Sequence, residues 1–294
     1  MTLALAAGGV ILVGKTLLPL TGNPAASILG ALVAFSGAVW LGGRWLDRRR
    51  FQAFGLRLQT HWWSDLGFGL ALGLSLPAVI FLVAESAGWV SATQTLSEPD
   101  PLEGAMELLP PLLVFIAVGF YEELLVRGYL LGNMAEGLNI RRLRPQHAVI
   151  GAWVLTSLLF AVGHVNNPNA SFVGTCALVF AGLFVGLARI LTADLWIPIG
   201  THIGWNFALN SIFGFSVSGV EPSVSVLAIE ERGPDIVTGG PFGPEAGLLG
   251  LFAYVVGALA TVLWIRWKHG RLKICGAIAK WDGAPEVSES QARE

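Results

Sequence analysis

The sequence predicts an all-α protein, a polytopic transmembrane helical bundle of about eight spans with both termini in the cytoplasm. Three observations carry that expectation. The chain of 294 residues is 54% hydrophobic and 13% charged, against ~25% charged residues in globular domains. Apolar runs of ~20 residues recur along it, enough to cross a bilayer core as helices. Basic residues collect in alternate loops between those runs, as the positive-inside rule requires.

The spans fall at about 2–20, 24–43, 62–89, 108–131, 147–165, 170–189, 194–212 and 246–266. The N-terminal run has no basic leader, its first cation being Lys15, and another run follows at once. It therefore reads as a first span rather than a cleavable signal. Thr21-Gly22-Asn23-Pro24 supplies the turn between the first two runs.

On one side of this arrangement lie Arg44, Arg48, Arg49, Arg50 and Arg57, then Arg141, Arg142 and Arg144, then Arg189, then Arg266 to Lys280. The opposite loops carry Glu98, Asp100, Glu103, Glu221, Glu230, Glu231, Asp235 and Glu245. Residues 1–283 form one membrane domain with no internal linker, and the polar stretch 284–294 reads as a disordered tail. Residues 213–245, rich in Gly and Pro, read as an outer loop long enough to cover an opening. The basic residues flank spans and so read as topological anchors, with no nucleic-acid partner implied. The two cysteines, Cys176 and Cys275, have no C-x-x-C partner, which excludes a disulfide framework or a cysteine metal site.

One stretch inside the fourth run departs from this apolar pattern: Gly119-Phe120-Tyr121-Glu122-Glu123-Leu124-Leu125-Val126-Arg127. Ionisable groups at bilayer depth cost at least ~2.5–3.5 kcal/mol each and mark function. Glu123 and Arg127 are four apart and share a helix face, so they can pair. Glu122 points about 100° away and has no local cation. A glycine one turn back leaves room beside it for ligand or water. Glu122 is thus the acid available for chemistry, and Glu123 with Arg127 the supporting pair.

Two later runs add polar groups. Phe160 and His164 are related by i,i+4 spacing in the fifth, and His202 and Asn206 in the seventh. Gly163, Gly200 and Gly204 are small residues that permit close helix approach. A carboxylate, two imidazoles and a carboxamide can make a hydrolytic centre, with the carboxylate taking a proton from water. The others can stabilise an oxyanion or hold a metal. Counting from the span ends, Glu122 and His202 lie toward the cytoplasmic half, whereas His164 falls near the outer end of its run.

Glu122-Glu123-x-x-x-Arg127, Phe160-x-x-x-His164 and His202-x-x-x-Asn206, in that order and each within an apolar run, resemble the three motifs of the CPBP family. These are the type II CAAX prenyl proteases and their bacterial, bacteriocin-immunity-like relatives. The resemblance covers about residues 108–212. It implies an intramembrane endopeptidase acting on membrane-associated peptides or proteins in the lipid bilayer. Catalytic roles would fall to Glu122, His164, His202 and Asn206, and supporting roles to Glu123, Arg127 and Phe160. Zn2+ held by His164 and His202 is conditional, since the family reading also admits a metal-free glutamate protease. The implied location is a bacterial cytoplasmic membrane. Two rival readings stand beside it: a non-catalytic scaffold or immunity protein, and a secondary transporter, the latter lacking internal repeat symmetry.

Overall fold

The computed structural model describes residues 24–95 and 101–280; the expected first span and the polar tail lie outside them. Helix α1 (Pro24–Leu41) runs into a five-residue π turn, Gly42–Leu46, and a 3-10 turn, Phe51–Phe54. Helix α2 (Trp62–Ser86) leads to strand β1 (Val90–Thr95). Helices α3 (Pro101–Glu107) and α4 (Leu109–Glu123) follow, then a π turn Leu124–Leu130 and α5 (Leu131–Leu138). Helices α6 (Pro145–Gly163), α7 (Phe172–Thr192) and α8 (Trp196–Phe207) complete the central part, α8 ending in a third π turn, Ala208–Ile212. Strand β2 (Leu227–Glu231), the short α9 (Asp235–Thr238) and the long α10 (Leu248–His269) close the described fold.

Among the described residues five helical stretches are long and apolar enough to cross a membrane: Trp62–Ser86, Gly104–Leu138, Pro145–Gly163, Phe172–Thr192 and Leu248–His269. They match the third, fourth, fifth, sixth and eighth expected runs. The seventh, 194–212, is not among them. Its α-helix has only 12 residues, of which nine are buried, including Thr201 and Asn206. Its apolar residues are packed against the surrounding helices.

The reason for that burial is a glycine seam. A Cβ on Gly69 or Gly73 of α2 would lie 2.5 Å from Ile197 O or 2.3 Å from Thr201 O. Reciprocally, one on Gly200 or Gly204 of α8 would lie 2.4 Å from Leu66 O or 2.6 Å from Leu70 O. Two G-x-x-x-G faces thus meet backbone to backbone, which fixes α8 against α2 with no side chain between them. Gly163, expected to serve the same purpose, does not: a Cβ there meets nothing within 4 Å.

The fold is mostly helical, with one small sheet in which β1 pairs antiparallel with β2, Val90 facing Glu231 and Thr95 facing Leu227. The Gly/Pro-rich 213–245 segment packs onto the helices. Its Phe215, Val217 and Phe242 are buried in the largest apolar cluster with Leu76, Leu178 and Trp205. Three side-chain hydrogen bonds pin it: Asn210 Nδ2 donates to Val220 O at 3.3 Å, Asn167 Nδ2 to Ser218 O at 2.9 Å, and Ser218 Oγ to Glu245 Oε2 at 2.8 Å.

Candidate active site

Two of the three polar motifs are followed at once by π turns. The first is Leu124–Leu130 after the Glu122-Glu123 pair, the second Ala208–Ile212 after Asn206. Such wide turns are rare and recur at functional sites.

Glu123 is completely buried. Its Oε1 accepts from Arg127 Nη1 at 2.8 Å, the expected one-face pair, and lies 2.8 Å from His202 Nδ1 on α8. A carboxylate accepts, so Nδ1 is the donor, which fixes the imidazole ring and turns Nε2 the other way. There Nε2 meets Glu122 Oε2 at 3.9 Å. The two adjacent acids thus hold opposite sides of one imidazole, Glu123 by direct contact and Glu122 across a gap. Glu122 keeps 21% side-chain exposure where Glu123 keeps none.

Arg127 is equally buried. Beyond Glu123 it donates to Gly182 O at 3.4 Å and places its guanidinium 4.4 Å from the centre of the Phe160 ring. Phe160 in turn lies tilted against His164 at 4.6 Å and meets His202 edge-on at 6.4 Å. His164 caps the C-terminus of α6, its Nδ1 donating to Phe160 O at 2.8 Å. It forms no ion pair with Glu122 or Glu123; Phe160 is what joins it to the cluster.

Beside this cluster is a cavity of about 30 Å³, lined by Glu123, Arg127, His202, Asn206, Glu245 and Tyr254 among others. One water needs ~10–15 Å³. Glu123 Oε2 is buried with no hydrogen-bond partner among the described residues, so a water in this cavity would complete it. The space expected beside Glu122 at Gly119 is not open, because a Cβ there would lie 2.7 Å from Ile203 Cγ1. That glycine lets α8 approach α4.

Sequence reasoning missed two members of this neighbourhood. Glu245 had been placed among outer-loop charges, yet it is buried. Trp205 Nε1 donates to its Oε1 at 3.1 Å and Ser218 N to its Oε2 at 2.6 Å. Arg189, assigned to a loop, lies buried in α7, where its Nε donates to Arg127 O at 3.1 Å and its Nη1 bonds Ala193 O. An arginine one turn before a helix end, in an apolar run, was the available signal.

Residues 104–208 match the Rce1-like family of type II CAAX prenyl endopeptidases. This part of the chain is CAAX-protease-like, as its three motifs imply. The Rce1-like segment begins in α3 and ends just beyond α8, so it contains every residue of the polar cluster except Glu245 and Tyr254. The family is one of peptidases, and with five membrane-length helices it supports an integral, multi-pass membrane protein. No match emerged among curated proteins or solved structures.

With Nδ1 of His202 engaged by Glu123, its Nε2 and the Glu122 carboxylate are the two neighbouring donors. Among the described residues no group of three His, Cys, Asp or Glu side chains is assembled as a ligand set, whereas catalytic zinc takes three protein ligands. In this geometry the residues do not fit a zinc site.

Proposed function

We propose that this protein is an intramembrane endopeptidase of the CAAX-protease type, cutting peptide bonds of membrane-associated substrates with a water activated by Glu122. The observation that carries the reading is the 3.9 Å gap between Glu122 Oε2 and a His202 ring fixed from behind by Glu123. A water seated there gives a proton to Glu122 and adds its oxygen to the scissile carbonyl carbon. The carboxamide N–H of Asn206 and the Nε2–H of protonated His202 donate to the resulting oxyanion. The C–N bond then breaks as Glu122 returns its proton to the leaving amine.

Arg127 and Glu123 act behind this step, holding His202 in one orientation, and Phe160 seats His164 against the same centre. No step is routed through zinc. The family match over 104–208 supports peptide-bond hydrolysis; a prenylated C-a-a-X peptide is the first substrate to offer. The test is single-turnover cleavage by wild-type and Glu122→Gln protein in liposomes. Loss of ~10²-fold or more in rate is expected for a general base. A variant that cuts at the wild-type rate removes Glu122 from the chemistry.

A further inference from the structure

A second pocket lies away from the polar cluster, where α1 ends. Arg44, Arg48, Arg49 and Arg50 line it together with Trp40 and Phe51, around a volume of about 420 Å³. Four guanidiniums within seven residues repel one another, and their charges need partners. Of these four, Arg49 alone has an ion pair among the described residues: its side chain, 8% exposed, pairs with Glu136 of α5. Arg44, Arg48 and Arg50 are exposed and form no ion pair among the described residues. Arg48 takes the left-handed conformation (φ 54°), rare for a non-glycine residue. This bend folds the chain back so that arginines before and after it share one pocket.

Flanking charge alone would make these residues topological anchors. Their concave arrangement asks for more. Guanidinium forks match phosphate oxygens bidentately. The mouth adjoins the end of an apolar helix, where Trp40 is 51% and Leu41 52% exposed, with Trp45 at 74% just beyond. A basic pocket with an apolar approach at that depth suits a headgroup whose acyl chains lie along the helix. We propose that this pocket binds the phosphate of an anionic phospholipid. Bound there, the lipid would brace α1 against the motif helix, because Arg49–Glu136 and Asn133 Nδ2 donating to Asp47 Oδ2 tie the pocket wall to α5. The site does not depend on the peptidase reading.

Native mass spectrometry and thermal unfolding of delipidated full-length protein test it, with phosphatidylglycerol, phosphatidylcholine or inorganic phosphate added in turn. Wild type should retain phosphatidylglycerol in preference to phosphatidylcholine and unfold at higher temperature with it. Arg44→Gln/Arg48→Gln/Arg50→Gln should lose at least tenfold in that affinity, while Arg141→Gln/Arg142→Gln/Arg144→Gln, an exposed basic cluster, should keep it. Should the glutamine triple fail to insert, the corresponding triple lysine variant preserves charge and should still bind several-fold more weakly, for want of the bidentate fork. Equal losses in both glutamine triples, or no preference for the anionic lipid, would overturn the proposal. A full thermal shift with inorganic phosphate alone would also overturn it, by making the occupant a free anion.

Discussion

Glu122 Oε2 and His202 Nε2 face each other at 3.9 Å, too far for a hydrogen bond and suited to one water held between them. Glu123, one residue on, touches the same ring from its other nitrogen at 2.8 Å. The two acids should therefore fail differently. Glu122→Gln should fold with wild-type thermal stability and lose ~10²–10⁴-fold in kcat. Glu123→Gln removes the countercharge of a buried arginine and should cost ~3–5 kcal/mol of stability. Paired melting curves and cleavage rates separate them; equal destabilisation of both variants would contradict the assignment.

The glycine seam gives a second test. Gly73→Ala puts a methyl group 2.3 Å from the Thr201 carbonyl oxygen, which is backbone and can move only if α8 moves. A loss of ~1–3 kcal/mol is expected, with a fall in activity as His202 and Asn206 shift. Gly163→Ala, whose Cβ meets nothing within 4 Å, should be silent in both measurements.

Glu245 should prove structural to the site although it comes from a distant segment. Glu245→Ala strands the half-buried Ser218 amide and the buried Trp205 indole N–H, the latter a loss of ~1–3 kcal/mol. Faster hydrogen exchange across 213–247, with a parallel drop in cleavage rate, is the expected result.

Burial pushes the Glu231 carboxyl up to about 7 from its ordinary 4.5, a hydrogen bond from Thr238 opposing only part of the shift. The folded state then holds the proton more tightly than the unfolded state. Stability contributed by this group is full below pH ~4.5 and lost as pH rises to ~7. Glu231→Gln stays neutral throughout, so relative to wild type it should gain about 1–2 kcal/mol between pH 5 and 8, the figure reduced for partial exposure. Melting temperatures across that range check the sign.

Metal analysis of purified wild-type and His202→Ala protein addresses the zinc alternative. With two neighbouring donors, the expected content is well below one zinc per chain in both. About one zinc in wild type, absent from the variant, would replace the water-only chemistry.

What the sequence disclosed follows from how local each interaction is. Glu123–Arg127 was legible because both residues lie on one helix at fixed spacing. The contact of Glu123 with His202 spans 79 residues and depends on the crossing of α4 with α8, which no periodicity reports. Gly69 and Gly73 could have been paired with Gly200 and Gly204, since both runs show the same small-residue spacing. Arg189 was misplaced because a basic residue near a helix end looks the same in a loop as in a core. Glu245 and the Val90–Thr95 strand were lost in Gly/Pro-rich and short stretches, where tertiary contacts alone decide the conformation.

The position of the Glu123–Arg127 pair also bears on biogenesis. Both charges sit four residues apart in the continuous helical stretch Gly104–Leu138, so this stretch brings its own counterion into the bilayer as it leaves the translocon. The ring that later claims Glu123 is synthesised 79 residues downstream. Until then Glu122 has no cation one turn away on its own helix, and the same group is left for the reaction.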